Sequence, residues 1–230
     1  MTTGSGHERI IISVSGGLIV PNGGFGIEFL RKLNKFVRNQ LTKFPKRQFF
    51  LVIGGGSMAR HYIEAGKDVL GHDLSYDDLD WLGIHAARLN AHLVRTIFRD
   101  IAHPVIIDNY DIIRKVTEPV VVASGWKPGW STDYCGILLC EDYREERLIN
   151  LGVLKQLYDK DPKKNPDAKA IDRISWDDFR KLVGDKWVPG MHVPFDPIAA
   201  SKAEELGITV VNWFDDGSRR VESIANSIQK

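Results

Sequence analysis

Cysteine is scarce in this chain. The 230 residues contain two, Cys135 and Cys140, five apart in an apolar run that reads as a helix. At that spacing the two thiols face different sides of the helix and do not bridge, so reduced, buried side chains are expected. No C-x-x-C pair and no cysteine–histidine cluster is present, and the seven histidines are scattered, which excludes a zinc site of the usual spacing. Charge of one sign is lacking as well. Thirty-one basic and thirty acidic side chains leave a formal net charge of +1, too little field to coat a nucleic acid. No run approaches the roughly 18 consecutive apolar residues of a membrane span, and the opening MTTGSGHER carries no apolar leader. A cytoplasmic protein that engages neither membrane nor nucleic acid is the expectation.

What is present is an ordinary globular composition, 43% hydrophobic and 27% charged, long enough to bury one continuous core. Short apolar, β-rich runs recur at 9–14, 48–53, 103–109, 118–124, 147–153 and 208–214. Runs that are apolar on both faces suit a parallel sheet covered by helices on each side. Amphipathic stretches lie between them. FGIEFLRKLNKFVRNQL at 25–41 sets Phe29, Leu33, Phe36, Val37 and Leu41 against a basic face. The longest periodic segment, 78–101, places Leu82, Ala86, Leu89, Leu93 and Ile97 on one stripe. Further helices are expected at 132–143 and at 197–207, the last stopped by Gly207. The alternation predicts an α/β chain: a three-layer αβα sandwich with a mainly parallel central sheet, forming one domain over 1–230. Residues 158–172, with two prolines and several Asp and Lys, are expected to be an irregular functional loop or an exposed hairpin. The tail DDGSRRVESIANSIQK reads as a turn and a weak helix.

In an open α/β sheet, ligands bind beyond the carboxyl ends of the strands. Here those ends are rich in glycine: Ser15-Gly16-Gly17 after the first run, Gly54-Gly55-Gly56-Ser57 after the second, and Ser124-Gly125 followed by WKPGWSTD after the fourth. Exposed backbone N–H groups at such turns, two of which open helices, favour an anion, and phosphate is the natural one. Each loop alone is equally explained by tight turns and close helix packing. Neither GxxxxGK[ST] nor GxGxxG is present. Arg60, one helical turn after Gly56, is placed to close on a phosphate held by that loop, or to lie solvated on the helix.

Four segments occur in an order that resembles the UMP kinases of the amino-acid-kinase superfamily, in particular the archaeal-type branch. They are GGGSMARHYIEAG at 54–66, DLDWLGIHAARLNAHLV at 78–94, GWKPGWSTDYCGILLCE at 125–141 and YDKDPKKNPDAK at 158–169, and ISVSGGLIVP at 12–21 fits the opening strand and loop. The resemblance spans roughly 9–212. It implies transfer of the γ-phosphoryl group of ATP to UMP, with Mg²⁺, on an αβα domain that assembles into homohexamers. By position, Gly54, Gly55, Gly56 and Arg60 would hold the UMP phosphate, Asp80 the ribose hydroxyls, Thr132 the UMP phosphate or the base edge, and Gly125 and Trp126 the uracil pocket. Ser15, Gly16 and Gly17 would face the transferring group, with Asp133 as the catalytic carboxylate. Gly16 and Gly17, Asn150, Tyr158, Asp161 and Pro162 would build the ATP side. The UMP-binding part would then run over about 9–145 and the ATP-binding part over about 146–230.

Two bland readings stand beside these roles: Asp133 as a helix cap and Asp80 as an ordinary helix-face carboxylate. Ser13 occupies the approximate place of a lysine that many family members carry on the first strand, and Lys127 is a candidate substitute cation. At 150–157 the chain reads NLGVLKQL, with Val153 and Lys155 in place of polar residues usual in the family. A relative that binds nucleotide or phosphate without transferring it is therefore one alternative. A kinase of another small acceptor, such as carbamate or an amino acid, is the other. Asp196, opening D-P-x-A-A, is either a cap or an active-site carboxylate.

Overall fold

A computed structural model describes residues 7–22, 24–153, 157–160, 165–184, 186 and 193–213. Five parallel strands form one sheet in the order β3-β2-β1-β4-β5: β1 Glu8–Val14, β2 Arg47–Ile53, β3 Val120–Ser124, β4 Arg147–Leu151 and β5 Thr209–Trp213. Successive side chains of a strand point to opposite faces. Ile10, Ile12 and Val14 thus join one apolar layer, and Ile11 joins the other. The first layer is closed by α2 (Ile27–Lys43) and α4 (Tyr76–Ile97), the second by α5 (Thr132–Tyr143), α6 (Trp176–Val183) and α7 (Pro197–Leu206). Two further helices complete the set, α1 (Gly16–Ile19) and α3 (Gly56–Leu70). The expected three-layer αβα arrangement is what forms.

Three local expectations are corrected. Residues 103–109 are not a strand: the segment touches β3 only at the isolated bridges Ala102–Val120 and Ile107–Ala123. Pro104 has no amide hydrogen to donate to a ladder, and Val105 turns outward, 47% exposed. On α4 the buried residues are Ile84, Ala86, Ala87, Asn90, Ala91 and Val94, with Leu93 and Ile97 packed at the edge of the core; of the expected stripe Ala86 is thus buried, whereas Leu89 is 56% exposed. The helix is apolar around much of its girth, so periodicity left the face open, and its small alanines are what allow close approach to the sheet. Finally, α6 forms where no helix is expected; Ser175 caps it by accepting from the Asp178 amide. The 158–172 stretch is irregular as expected, pinned by an antiparallel bridge between Tyr158 and Ala170. Cys135 and Cys140 are free and buried on α5, and burial pushes the Cys135 thiol up to about 12. The 215–230 tail lies outside the described residues.

The chain begins in the middle of the sheet. It moves from β1 outward through β2 to β3, then returns to the opposite side of β1 for β4 and β5. The reversal sets a crevice at the carboxyl end of β1, between the loops that leave β2 and β4.

Candidate active site

Every glycine loop singled out in the sequence opens onto that crevice. Its volume is about 540 Å³, and its lining includes Ser15, Gly16, Gly17, Gly54, Gly55, Gly56, Arg60, Asp80, Gly125, Thr132, Asp133 and Asn150. The loops after β1 and β2 meet backbone to backbone. A Cβ on Gly16 would fall 2.0 Å from the Gly56 nitrogen, and one on Gly56 would fall 2.2 Å from the Gly16 carbonyl oxygen. Gly56 also has φ +65°, in the left-handed region. Only glycine pairs fit at this contact. Asn90, buried on α4, donates from Nδ2 to the carbonyls of Gly54 at 2.9 Å and Gly55 at 3.0 Å. Those bonds occupy the loop's acceptors; the Gly54 N–H is spent on the Val14 carbonyl at 3.1 Å, which leaves the Gly55 and Gly56 N–H groups as the available polarity. Ser57 donates to Val20 and Pro21 carbonyls, tying the two loops a second time.

Arg60, on the second turn of α3, donates to Asn22 Oδ1 at 3.0 Å across the mouth of the cleft. It is the one basic side chain among the described residues that line the cleft, against three carboxylates, Asp80, Asp133 and Asp196. Asp80, early on α4, accepts the Gly129 N–H at 2.7 Å; partial burial raises its pKa and that bond opposes the rise. The Gly129 bond falls on Oδ2 of Asp80, which leaves the lone pairs of Oδ1 to face the cleft.

The cap of α5 is Ser131, whose Oγ accepts the Tyr134 amide. Asp133, two residues on, is thereby released from capping. Its Oδ1 accepts from Ser13 Oγ at 2.9 Å and its Oδ2 from the Asp196 amide at 3.3 Å. Asp196 is both things the sequence offered. Its Oδ1 caps α7 at the Ile198 amide, 2.8 Å away, and its Oδ2 accepts from Ser131 Oγ, while the side chain lines the cleft. Desolvation first, and then the neighbouring Asp196 charge, raise the Asp133 pKa to about 7; the Ser13 and Asp196 donors pull the other way. Asp196 is also shifted upward by burial, against its own three hydrogen bonds.

On the β4 side, Asn150 stands in register with Ser13 and donates to the Pro194 carbonyl at 3.0 Å and Asn212 Oδ1 at 2.8 Å. Val153 lines the cleft beside Gly17. Two expected positions are elsewhere. Tyr158 sits in its bridge with Ala170 and outside the lining, and Trp126 packs between Tyr110 and Trp130, with Lys127 Nζ 3.9 Å above its ring. Asp161 and Pro162, like Lys155, lie outside the described residues. Trp130, not Trp126, lines the cleft. Sequence reasoning also passed over Asn90 and the bond that Ser13 makes. Asn90 carried a signal, a lone amide on the stripe of Ala87, Ala91 and Val94.

The sequence pattern of the Amino acid kinase family matches residues 8–211. The chain belongs to that family. Among relatives of this chain, a uridylate kinase of Methanocorpusculum labreanum is 32% identical over 206 residues, covering 88% of this chain and 85% of the relative. One from Hyperthermus butylicus is 35% identical over 174 residues, 72% and 74% of the two chains. The crystal structure of uridylate kinase from Archaeoglobus fulgidus superposes with a TM-score of 0.78 at 25% identity over 96% of each chain. An aspartate kinase from Synechocystis shares the fold at 15% identity and a TM-score of 0.69, over 91% of this chain and 38% of that one.

Proposed function

We propose that the protein is a UMP kinase, transferring the γ-phosphoryl group of ATP to UMP to give UDP and ADP. The observation that carries this is the joining of two glycine loops into one cleft, with Arg60 and Asp80 on one side and Asp133 on the other. Its relatives' names support the choice of nucleotide. The acceptor needs no strong base, because its attacking atom is already an ionised phosphate oxygen. One P–O bond forms to that oxygen as the bond to ADP breaks, and the residues act by alignment and charge neutralisation.

In this reading the Gly54 to Gly56 loop holds the UMP phosphate through the Gly55 and Gly56 N–H groups, with the Gly54 N–H anchoring the loop to the Val14 carbonyl, and Arg60 exchanges Asn22 for a phosphate oxygen. Asp80 keeps Gly129 on one oxygen and accepts ribose hydroxyls on the other. Gly125, Thr132 and Trp130 wall the base. Ser15 to Gly17 face the transferring group, and Asn150 fixes the donor-side loop through Pro194. ATP brings a divalent cation, which we take to be Mg²⁺. The donor set suits it: Asp133 and Asp196 offer hard oxygens with lone pairs to spare, in a cleft where the one arginine among the described lining residues cannot neutralise a triphosphate and a monophosphate together. Among the described residues no group of three or more His, Cys, Asp or Glu could hold an ion, so phosphate and water oxygens would complete its shell. When bound, the cation supplies charge neutralisation at the transferring group.

ADP release with UMP, CMP, dUMP, carbamate and amino acids as acceptors tests the proposal. Turnover with UMP above the others is expected, and none above background overturns it. UMP binding without ATP-dependent chemistry would instead favour a non-catalytic relative.

We also read the protein as cytoplasmic and homo-oligomeric, with a hexamer as the family resemblance implies. No helix among the described residues is long and apolar enough to cross a membrane. Tyr62, Val69 and Leu70 on α3, and Tyr76 and Leu89 on α4, are each more than half exposed, which supports a covered face. Sedimentation at monomer mass overturns the assembly.

A further inference from the structure

The acceptor side of the cleft is a joint between two elements. Helix α4 contributes Asp80, Gly83, Ile84 and Ala87 to the lining, and the loop that leaves β3 contributes Gly125 and Trp130. Beyond Ala87 comes Arg88, outside the lining, whose guanidinium is spent on that loop. Its Nε donates to the Gly125 carbonyl at 3.3 Å, and its Nη2 to the Trp126 carbonyl at 3.1 Å and the Asp108 carbonyl at 3.4 Å. The Asp108 carboxylate lies 3.7 Å from Nε and balances the charge. Eight residues earlier, about 12 Å along the helix axis, Asp80 takes the Gly129 N–H. The loop is therefore gripped by one helix at both its start and its middle, with Ile84 against Gly125 between the grips.

We propose that Arg88 is a positioning residue for the acceptor nucleotide. It holds the 125–131 loop at a fixed distance from α4, so that Trp130 and Thr132 stay at the place where the base is read and Asp80 stays beside Gly129. The inference rests on the UMP-kinase reading. A planar fork of charged donors suits three carbonyls drawn from two segments. Lysine, a point charge on a flexible stem, cannot span them together. The chemistry at the far end of the cleft, around Asp133 and Asn150, touches no atom that Arg88 bonds.

Arg88→Met and Arg88→Lys, compared with wild type, test this by steady-state kinetics and hydrogen exchange. For Arg88→Met the KM for UMP rises about tenfold, the KM for ATP stays within about twofold, and kcat changes little, as expected for lost ground-state positioning. Arg88→Lys recovers only part of the loss. Amide exchange over 125–131 accelerates in both variants while that of β1 and β2 holds. An unchanged KM for UMP, or equal rises in both KM values, overturns the proposal. Should wild type fail to turn over UMP, the functional reading falls, and exchange over 125–131 still decides the clasp: no acceleration in Arg88→Met overturns it.

Discussion

Asp133 is a residue whose charge state the fold alters within the neutral pH range. Its folded pKa of about 7 lies well above the ordinary carboxyl value of 3.8, because the cleft desolvates it beside Asp196. Between those pH values the native state keeps a proton that the unfolded chain has released, so this group's contribution to stability falls as pH rises from about 4 to about 7, then levels. Catalysis runs the other way, since the ionised form is the one that holds the cation: kcat/KM, which reports the free enzyme, should rise with pH through about 7. Asp133→Asn should lower kcat at least a hundredfold, leave UMP binding near normal, and flatten that pH dependence. Ser13→Ala removes a donor that favours the charged form, so the inflection should move to higher pH, read from a pH–rate profile. A profile that does not move would remove Ser13 from the circuit. At this scale the sequence was partly legible: Asp133 stood out by its place in a strand–turn–helix motif. Its pairing with Asp196, 63 residues away, was not, because nothing in local spacing tells which two loops will share one cleft.

At the scale of elements, helix starts do double duty. Ser131 and Asp196 each satisfy a helix amide and also meet each other, so α5 and α7 begin at a common point. Asp196→Ala should cost about 1 kcal/mol for the cap alone, measured by denaturant unfolding, with a further loss if Ser131 is left without its acceptor. Asn90 plays the corresponding part on α4. Replacing it with leucine strands the Gly54 and Gly55 carbonyls, and about 1–3 kcal/mol of destabilisation is expected together with a raised KM for UMP. Unchanged stability would mean that other donors reach those carbonyls. Asp196 was readable as a cap, since Asp before helical periodicity has a local physical cause; for α5 the reading fell on Asp133, two residues past the Ser131 that caps it. The burial face of α4 was not, because apolar side chains occur on several of its faces and only packing on the sheet selects one.

For the whole molecule, the order of apolar runs and amphipathic stretches was enough to indicate a helix-covered parallel sheet, and five of the six runs became strands. The exception, 103–109, failed for a reason that lies in Pro104. Strand order was not legible: a run of apolar residues does not say which neighbour it will pair with, and the return of the chain across β1 is a property of the assembled sheet. Because that return makes the cleft, the site's shape was hidden while its residues were not. A ligand that binds only the assembled cleft should stabilise the whole fold. Saturating UMP at a hundred times its dissociation constant should add about 2.7 kcal/mol to the unfolding free energy, measurable as a raised melting temperature. No shift with UMP would count against an acceptor site.

Where Gly16 meets Gly56, the contact is between backbone atoms, and no side chain stands at that point to flex, rotate or be trimmed by mutation. On the proposed assignment of these loops to donor and acceptor, the spacing between the two phosphates is a ruler cut into the main chain. Adjusting it means moving a loop that leaves the middle of the central sheet, so on that assignment the reaction's reach is inherited with the fold.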